Sequence, residues 1–228
     1  MKVGDVSLEY LGHDGFIISG EVKIAIDPYN IRDGLEKVDA ILITHEHQDH
    51  CSVKDIEKLV RDGTIVVGTP HIQSAVLKVQ GAHLQNIEIG DVFEFGGFTI
   101  EAVPAYNINK YRDVSRKLVF HPKSEGYLGY VIKKGNTIIY HTGDSDLIPE
   151  MSKLTGYGKH GNMFVALLPV SGTYVMDADE AAEAAALLKP HLAIPMHYGS
   201  VVGTLEDAHR FVELCKEKGI RAEVLEKK

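Results

Sequence analysis

The chain has 228 residues, 44% hydrophobic and 25% charged, with 22 Gly, 8 Pro, 12 His, two Cys and no Trp. Those proportions exclude a disordered chain, a collagen-like repeat and a coiled coil, and the length suits a single domain read as 1–228. A formal net charge of −8 argues against a general nucleic-acid binder.

No apolar run reaches the ~18 residues of a membrane span, so no membrane partner is expected. The opening MKVGDVSLEYLG lacks the apolar segment of a signal peptide, and Cys51 and Cys215 are too few for a disulfide framework. A cytoplasmic location is expected.

In chain order, residues 6–11, 16–19 and 22–26 read as short strands, the last two joined at Gly20-Glu21. Asp27-Pro28 ends that series, since Pro disfavours continued pairing. Residues 38–43 form an apolar run suited to a strand buried on both faces. A helix is predicted over 53–61, with Ser52 as N-cap, Asp55 three residues on and a stop at Gly63. A strand at 64–67 and a short helix over 71–79 follow.

Runs 92–95 and 98–103 flank Gly96-Gly97, a hairpin signal. Residues 104–126 carry no sustained period and read as a long loop, of the kind that is usually functional in a compact domain. Strands are predicted at 128–133 and 137–141 around Gly135-Asn136, then at 163–168. Asp177 and Glu180 open an Ala-rich helix that ends before Pro190. A strand at 192–196, a helix over 204–218 stopped by Gly219, and a last strand at 220–225 complete the reading. Hairpins followed by strand–helix alternation, twice over, suggest packed sheets with helices outside.

The decisive segment is Thr44-His45-Glu46-His47-Gln48-Asp49-His50, at the exit of the strand read at 38–43. In extended chain, residues i and i+2 point the same way, so His45 and His47 can grip one ion. Asp49 and His50 lie just beyond and can face a second. Asp27 could hydrogen-bond one of the ligand histidines and fix its tautomer. His141 in its strand reads as packing, Cys51 as a small packed thiol, and His13 as a residue at a turn. His71, His83, His160, His191 and His209 read as structural or solvated.

With these motifs the sequence resembles the metallo-β-lactamase superfamily across nearly its whole length. The family's early strand-end aspartate is matched by Ile26-Asp27-Pro28, its HxHxDH motif by residues 45–50, its later aspartate by Thr142-Gly143-Asp144 and its last histidine by Pro195-Met196-His197. Gly12-His13 and Val103-Pro104-Ala105-Tyr106 resemble the subgroup of UlaG-like lactonases and uncharacterised metal-dependent hydrolases. The resemblance implies an α/β fold, a four-layer αββα sandwich of two mixed sheets with helices on the outer faces. It implies metal ligands His45, His47, Asp49, His50, Asp144 and His197, with Asp144 bridging two ions. Asn107 stands where the family has a further histidine, an amide being a poorer zinc ligand, and His121 is the expected substitute.

A divalent ion with an open position lowers its water's pKa to about 7, which predicts hydrolysis at a carbonyl or phosphorus centre. Asp49 is expected to orient the nucleophile or take its proton, and His121 to act in the same site. Two divalent cations are expected, Zn2+ first, with Mn2+ or Fe2+ as alternatives. Lys110, Arg112, Arg116, Lys117 and Lys123 in the long loop point to a small anionic substrate: a lactone, phosphorylated sugar or phosphodiester. Tyr106, Tyr198 and Ser200 are candidate donors to it. The competing readings are a redox-active diiron relative and an inactive metal-binding module. Helices outside the sheets leave room for a homo-oligomer.

Overall fold

The computed structural model describes residues 1–228. A seven-stranded mixed sheet is built in chain order from β1 (Lys2–Val3), β2 (Val6–Gly12), β3 (Gly15–Ser19), β4 (Lys23–Ile26), β5 (Ala40–Leu42), β6 (Thr64–Gly68) and β7 (Ala82–Asn86). Its first four strands pair antiparallel, and β4 to β7 run parallel. The second sheet uses β8 (Val92–Phe95), β9 (Phe98–Pro104), β12 (Leu128–Lys134), β13 (Thr137–His141), β14 (Met163–Pro169) and β15 (Leu192–Met196) in the order β15-β14-β13-β12-β9-β8. Between β9 and β12, β10 (Tyr111–Asp113) and β11 (Leu118–Val119) form a small separate hairpin.

Period-two alternation sorts the first sheet's side chains between two cores. Leu8, Tyr10, Phe16, Ile18, Ile24, Ile26 and Leu42 face the second sheet. Leu11, Ile17, Ala25, Ile41 and Val66 face outward, where Ile56 and Leu59 of α1 (Val53–Leu59) and Val76 of α2 (Gln73–Val76) cover them. On the far side, α3 (Ala178–Leu188) buries Ala181, Ala184, Ala185 and Leu188 at helical spacing, and α4 (Leu205–Glu217) buries Ala208, Phe211 and Cys215. The result is the four-layer αββα sandwich expected from the resemblance. No helix is long and apolar enough to cross a membrane.

The caps read from sequence are present. Ser52 accepts from the Asp55 amide, and a capping box joins Asp177 with Glu180; a further one, not read from sequence, joins Thr204 with Asp207. Four local expectations are corrected. The helix expected over 53–61 stops at Leu59, because Val60 is extended. The helix expected over 71–79 divides into a 3-10 turn at Pro70–Ile72 and the single turn of α2. The stretch 104–126 is not structureless, since it holds β10, β11 and a 3-10 turn at Lys123–Glu125. The strand expected at 220–225 makes only an isolated bridge, Ala193 to Ala222, and Lys227 makes another to Tyr10.

Candidate metal centre

The site lies where strands of both sheets end. β5 delivers Thr44 and His45 from the first sheet, and the second sheet is sewn to them: the Tyr130 hydroxyl donates to Ile43 O at 2.7 Å and the Leu128 amide to Thr44 O at 3.0 Å. Asp27, at the end of β4, accepts from the Thr44 amide at 2.9 Å and from its hydroxyl at 2.6 Å. Beyond His45 the chain turns tightly, with the His50 and Cys51 amides both donating to His47 O, and Ser52 then starts α1. At the exit of β13, a Cβ on Gly143 would stand 2.4 Å from Leu128 O, and its φ is +61°, so only glycine brings Asp144 this close. His13, Asp27 and His197 also have left-handed backbone (φ 54°, 39° and 58°), uncommon for residues other than glycine.

Two groups of ligand atoms result. In the first, His45 Nε2 and His47 Nδ1 lie 2.9 Å apart, and His121 Nε2 is 3.3 Å from His47 Nδ1 and 3.4 Å from Asp144 Oδ2. In the second, His50 Nε2 is 3.3 Å from Asp144 Oδ1 and 3.8 Å from Asp49 Oδ2, while His197 Nε2 is 3.4 Å from Asp144 Oδ2. Asp144 touches both groups. All six residues carried over as ligands, and His121, are brought together.

The far sides of the imidazoles are held. Thr44 Oγ1 is 3.0 Å from His45 Nδ1, Asp27 Oδ2 is 2.9 Å from His50 Nδ1, and Ser171 Oγ is 2.9 Å from His197 Nδ1. Asn107 Oδ1 and Tyr174 O flank His121 Nδ1 at 3.1 and 3.2 Å. Asn107 therefore points at the histidine rather than at an ion. Such partners orient ligands and fix their tautomers.

The inner atoms are left unpartnered. His50 Nε2, His197 Nε2, Asp144 Oδ1 and both Asp14 oxygens are buried without a hydrogen bond. Most buried polar atoms find a partner, and a cation between these would satisfy several at once. His45, His47 and His121 offer three nitrogens within 4.8 Å of one another, and His45, His50 and Asp144 form another such set. The donor set fits divalent metal.

The electrostatics differ between the groups. Burial lowers the His45 and His121 imidazoles, which favours the neutral form that binds metal. Burial works the same way on His197, but Asp144 and Asp14 overcome it and raise the imidazole to about 9. His50 is also raised, by Asp144 and Asp27 against burial. Burial would lift the Asp144 carboxyl, yet His50 and His197 hold it well below the usual range. Burial pushes His13 down to about 4, and its Nε2 lies 3.0 Å from Asp49 Oδ2. Burial would lift the Asp49 carboxyl, but that contact and His50 together hold it below the usual range.

The centre opens on a cleft of about 240 Å³ lined by His47, Asp49, His121, Asp144, Phe120, Tyr174 and Val201. Tyr106, Tyr198 and Ser200 do not line it. The Tyr106 hydroxyl donates instead to Glu150, and Tyr198 stacks on Tyr10. Three of the basic loop residues are paired: Lys110 with Glu180 and Asp146, Arg116 with Asp113, and Lys123 with Glu150. His141 is structural, its Nδ1 accepting the Gly143 amide and its Nε2 lying 2.9 Å from Asp14 O. Cys51 is packed, its thiol raised by burial to about 12. Sequence reasoning missed Asp14 and Ser171; Asp14 sits in a Gly-His-Asp-Gly turn, a pattern that ordinarily signals only chain reversal.

Comparison with known proteins adds to the geometry. The family profile described as a beta-lactamase superfamily domain matches residues 7–197. The chain is 32% identical to a UPF0173 metal-dependent hydrolase of Nanoarchaeum equitans, over 97% of each chain. It is 33% identical to another from Thermoplasma volcanium, over 94% of this chain and 93% of that one. A metallo hydrolase from Ignicoccus hospitalis superposes with a TM-score of 0.74 at 26% identity, covering 97% of this chain and 95% of that one.

Proposed function

Because the chain belongs to the metallo-β-lactamase superfamily, we propose that it is a binuclear metal-dependent hydrolase of small anionic molecules. One observation carries this reading: unpartnered imidazole nitrogens and carboxylate oxygens from distant parts of the chain converge beside an open cleft. His45, His47 and His121 would hold one ion, Asp49, His50 and His197 the other, and Asp144 would be shared. Zinc suits the three imidazoles of the first group.

Bound divalent ions supply Lewis acidity and hydroxide at neutral pH. The protein's own groups supply position. Asp49, kept ionised with Oδ2 engaged by His13, stands at the cleft wall, where it would orient the attacking group. Asn107 and the Tyr174 carbonyl fix His121 through Nδ1. Phe120, Tyr174 and Val201 give the cleft an apolar flank that shields the reacting centre from bulk water and suits a compact carbon skeleton. With Lys110, Arg116 and Lys123 paired to carboxylates, the attraction for an anionic group would come from the metal centre and from the remaining loop cations Arg112 and Lys117.

The test is a panel of lactones, phosphodiesters and phosphorylated sugars, offered to the protein loaded in turn with Zn2+, Mn2+ and Fe2+. Hydrolysis that disappears on metal removal and returns on reloading is the expected result. Hydrolysis that survives complete metal removal would overturn the assignment.

A further inference from the structure

Asp14 is left over from the ligand set just described. It lies in the turn between β2 and β3, is 0% exposed, and neither of its oxygens has a hydrogen-bond partner. Its Oδ2 is 3.5 Å from His50 Nδ1 and 3.9 Å from His197 Nε2. His50 Nδ1 is already taken by Asp27 at 2.9 Å, and His197 Nδ1 by Ser171 at 2.9 Å. His13, Asp14, His50 and His197 each offer one ligand atom within 4.8 Å of the others, and the unpartnered nitrogen facing the carboxylate is His197 Nε2. A carboxylate buried with no donor is strongly unfavourable unless it takes up a proton, the direction in which burial pushes the Asp14 carboxyl, or a cation joins it.

We propose that Asp14 is an additional carboxylate ligand of the second ion and makes that position prefer a harder cation than the first. The inference rests on the binuclear reading. The first position combines three imidazoles with the shared Asp144. The second, with Asp14, combines three carboxylates (Asp14, Asp49 and Asp144) with His50 and His197. Carboxylate-rich sites suit manganese, whereas imidazole-rich sites suit zinc. The protein is therefore a mixed-metal centre by construction, with zinc beside His121 and the harder ion beside Asp14.

The test uses the full chain stripped of metal, given one equivalent of Zn2+ and then titrated with Mn2+, free Mn2+ being read by electron paramagnetic resonance. Wild type is expected to bind one Mn2+ alongside one Zn2+. Asp14→Asn is expected to weaken the Mn2+ site about tenfold or more, the scale of losing a partner at a metal centre, with zinc stoichiometry unchanged at the other position. The retained zinc reports that the variant is folded, and Asp14→Ser repeats the measurement in a smaller side chain. Unchanged Mn2+ affinity in both variants, or equal Mn2+ to Zn2+ selectivity at the two wild-type positions, overturns the proposal. A wild-type chain that binds neither metal overturns the binuclear reading as well.

Discussion

Asn107 grips His121 twice: its Oδ1 accepts the His121 backbone N–H at 2.9 Å and lies 3.1 Å from the imidazole Nδ1. The His121 carbonyl in turn accepts the Asn107 amide at 2.8 Å. The asparagine at the position where a ligand would be expected thus holds the candidate ligand from the neighbouring loop. Asn107→Ala should leave His121 in place in the sequence but loose in the site. Affinity for zinc at the proposed first position should fall about 10- to 100-fold, measured by competition with a chromophoric chelator. Unchanged zinc affinity would remove Asn107 from this role.

Asp144 should be the residue whose loss affects both ions. Asp144→Ala is expected to lower metal content at both positions, whereas His47→Ala should lower it at one. Elemental analysis of purified variants, with circular dichroism as a folding control, distinguishes them. Full hydrolytic activity in metal-depleted Asp144→Ala would defeat the assignment.

His121→Ala should reduce turnover at least about tenfold more than His209→Ala. His121 is buried against Asp144, while His209 is exposed on α4. Steady-state kinetics on the best substrate decide the comparison. Equal effects would place His121 outside the centre.

Asp55 supports the start of α1, next to the metal loop. It accepts the Asn30 amide at 2.9 Å, the Ile31 amide at 3.2 Å and the Ser52 hydroxyl at 2.7 Å, and pairs with Lys58 at 3.1 Å. Burial opposes its charge, but Ser52, Lys58 and Asn30 hold the carboxyl below the usual range. A carboxyl whose pKa drops on folding stabilises above its unfolded value of about 3.9 and loses that contribution as pH falls through the folded one. Asp55→Asn should therefore cost about 2 kcal/mol at pH 7 in urea unfolding, a difference that shrinks below about pH 4. A pH-independent difference would contradict this account.

The centre was legible because its parts sit at strand exits in short runs: residues 45–50 after β5, Thr142-Gly143-Asp144 after β13 and His197 after β15. Hairpins announced by Gly96-Gly97 and Gly135-Asn136 formed where expected, because those turns need left-handed backbone. What escaped had weaker local causes. β7 reads Ala-His-Leu-Gln-Asn, a half-exposed edge whose apolar face is only Ala82 and Leu84, and β10 and β11 are two or three residues long with a register shift between them. The apolar alternation at 220–225 looked like a strand, but the chain there meets the sheet only beside Ala193. Asp14 escaped because only tertiary burial separates a solvated turn aspartate from one enclosed by imidazoles.

The candidate ligands are divided between the two sheets. Asp14, His45, His47, Asp49 and His50 come from the β2–β3 turn and the segment after β5, whereas His121, Asp144 and His197 come from connections flanking β12, β13 and β15. An ion gripped from both sides works as a rivet through the sandwich. At a thousandfold excess over its Kd it would add about 4 kcal/mol against unfolding, so starving this protein of metal would loosen its architecture along with its chemistry.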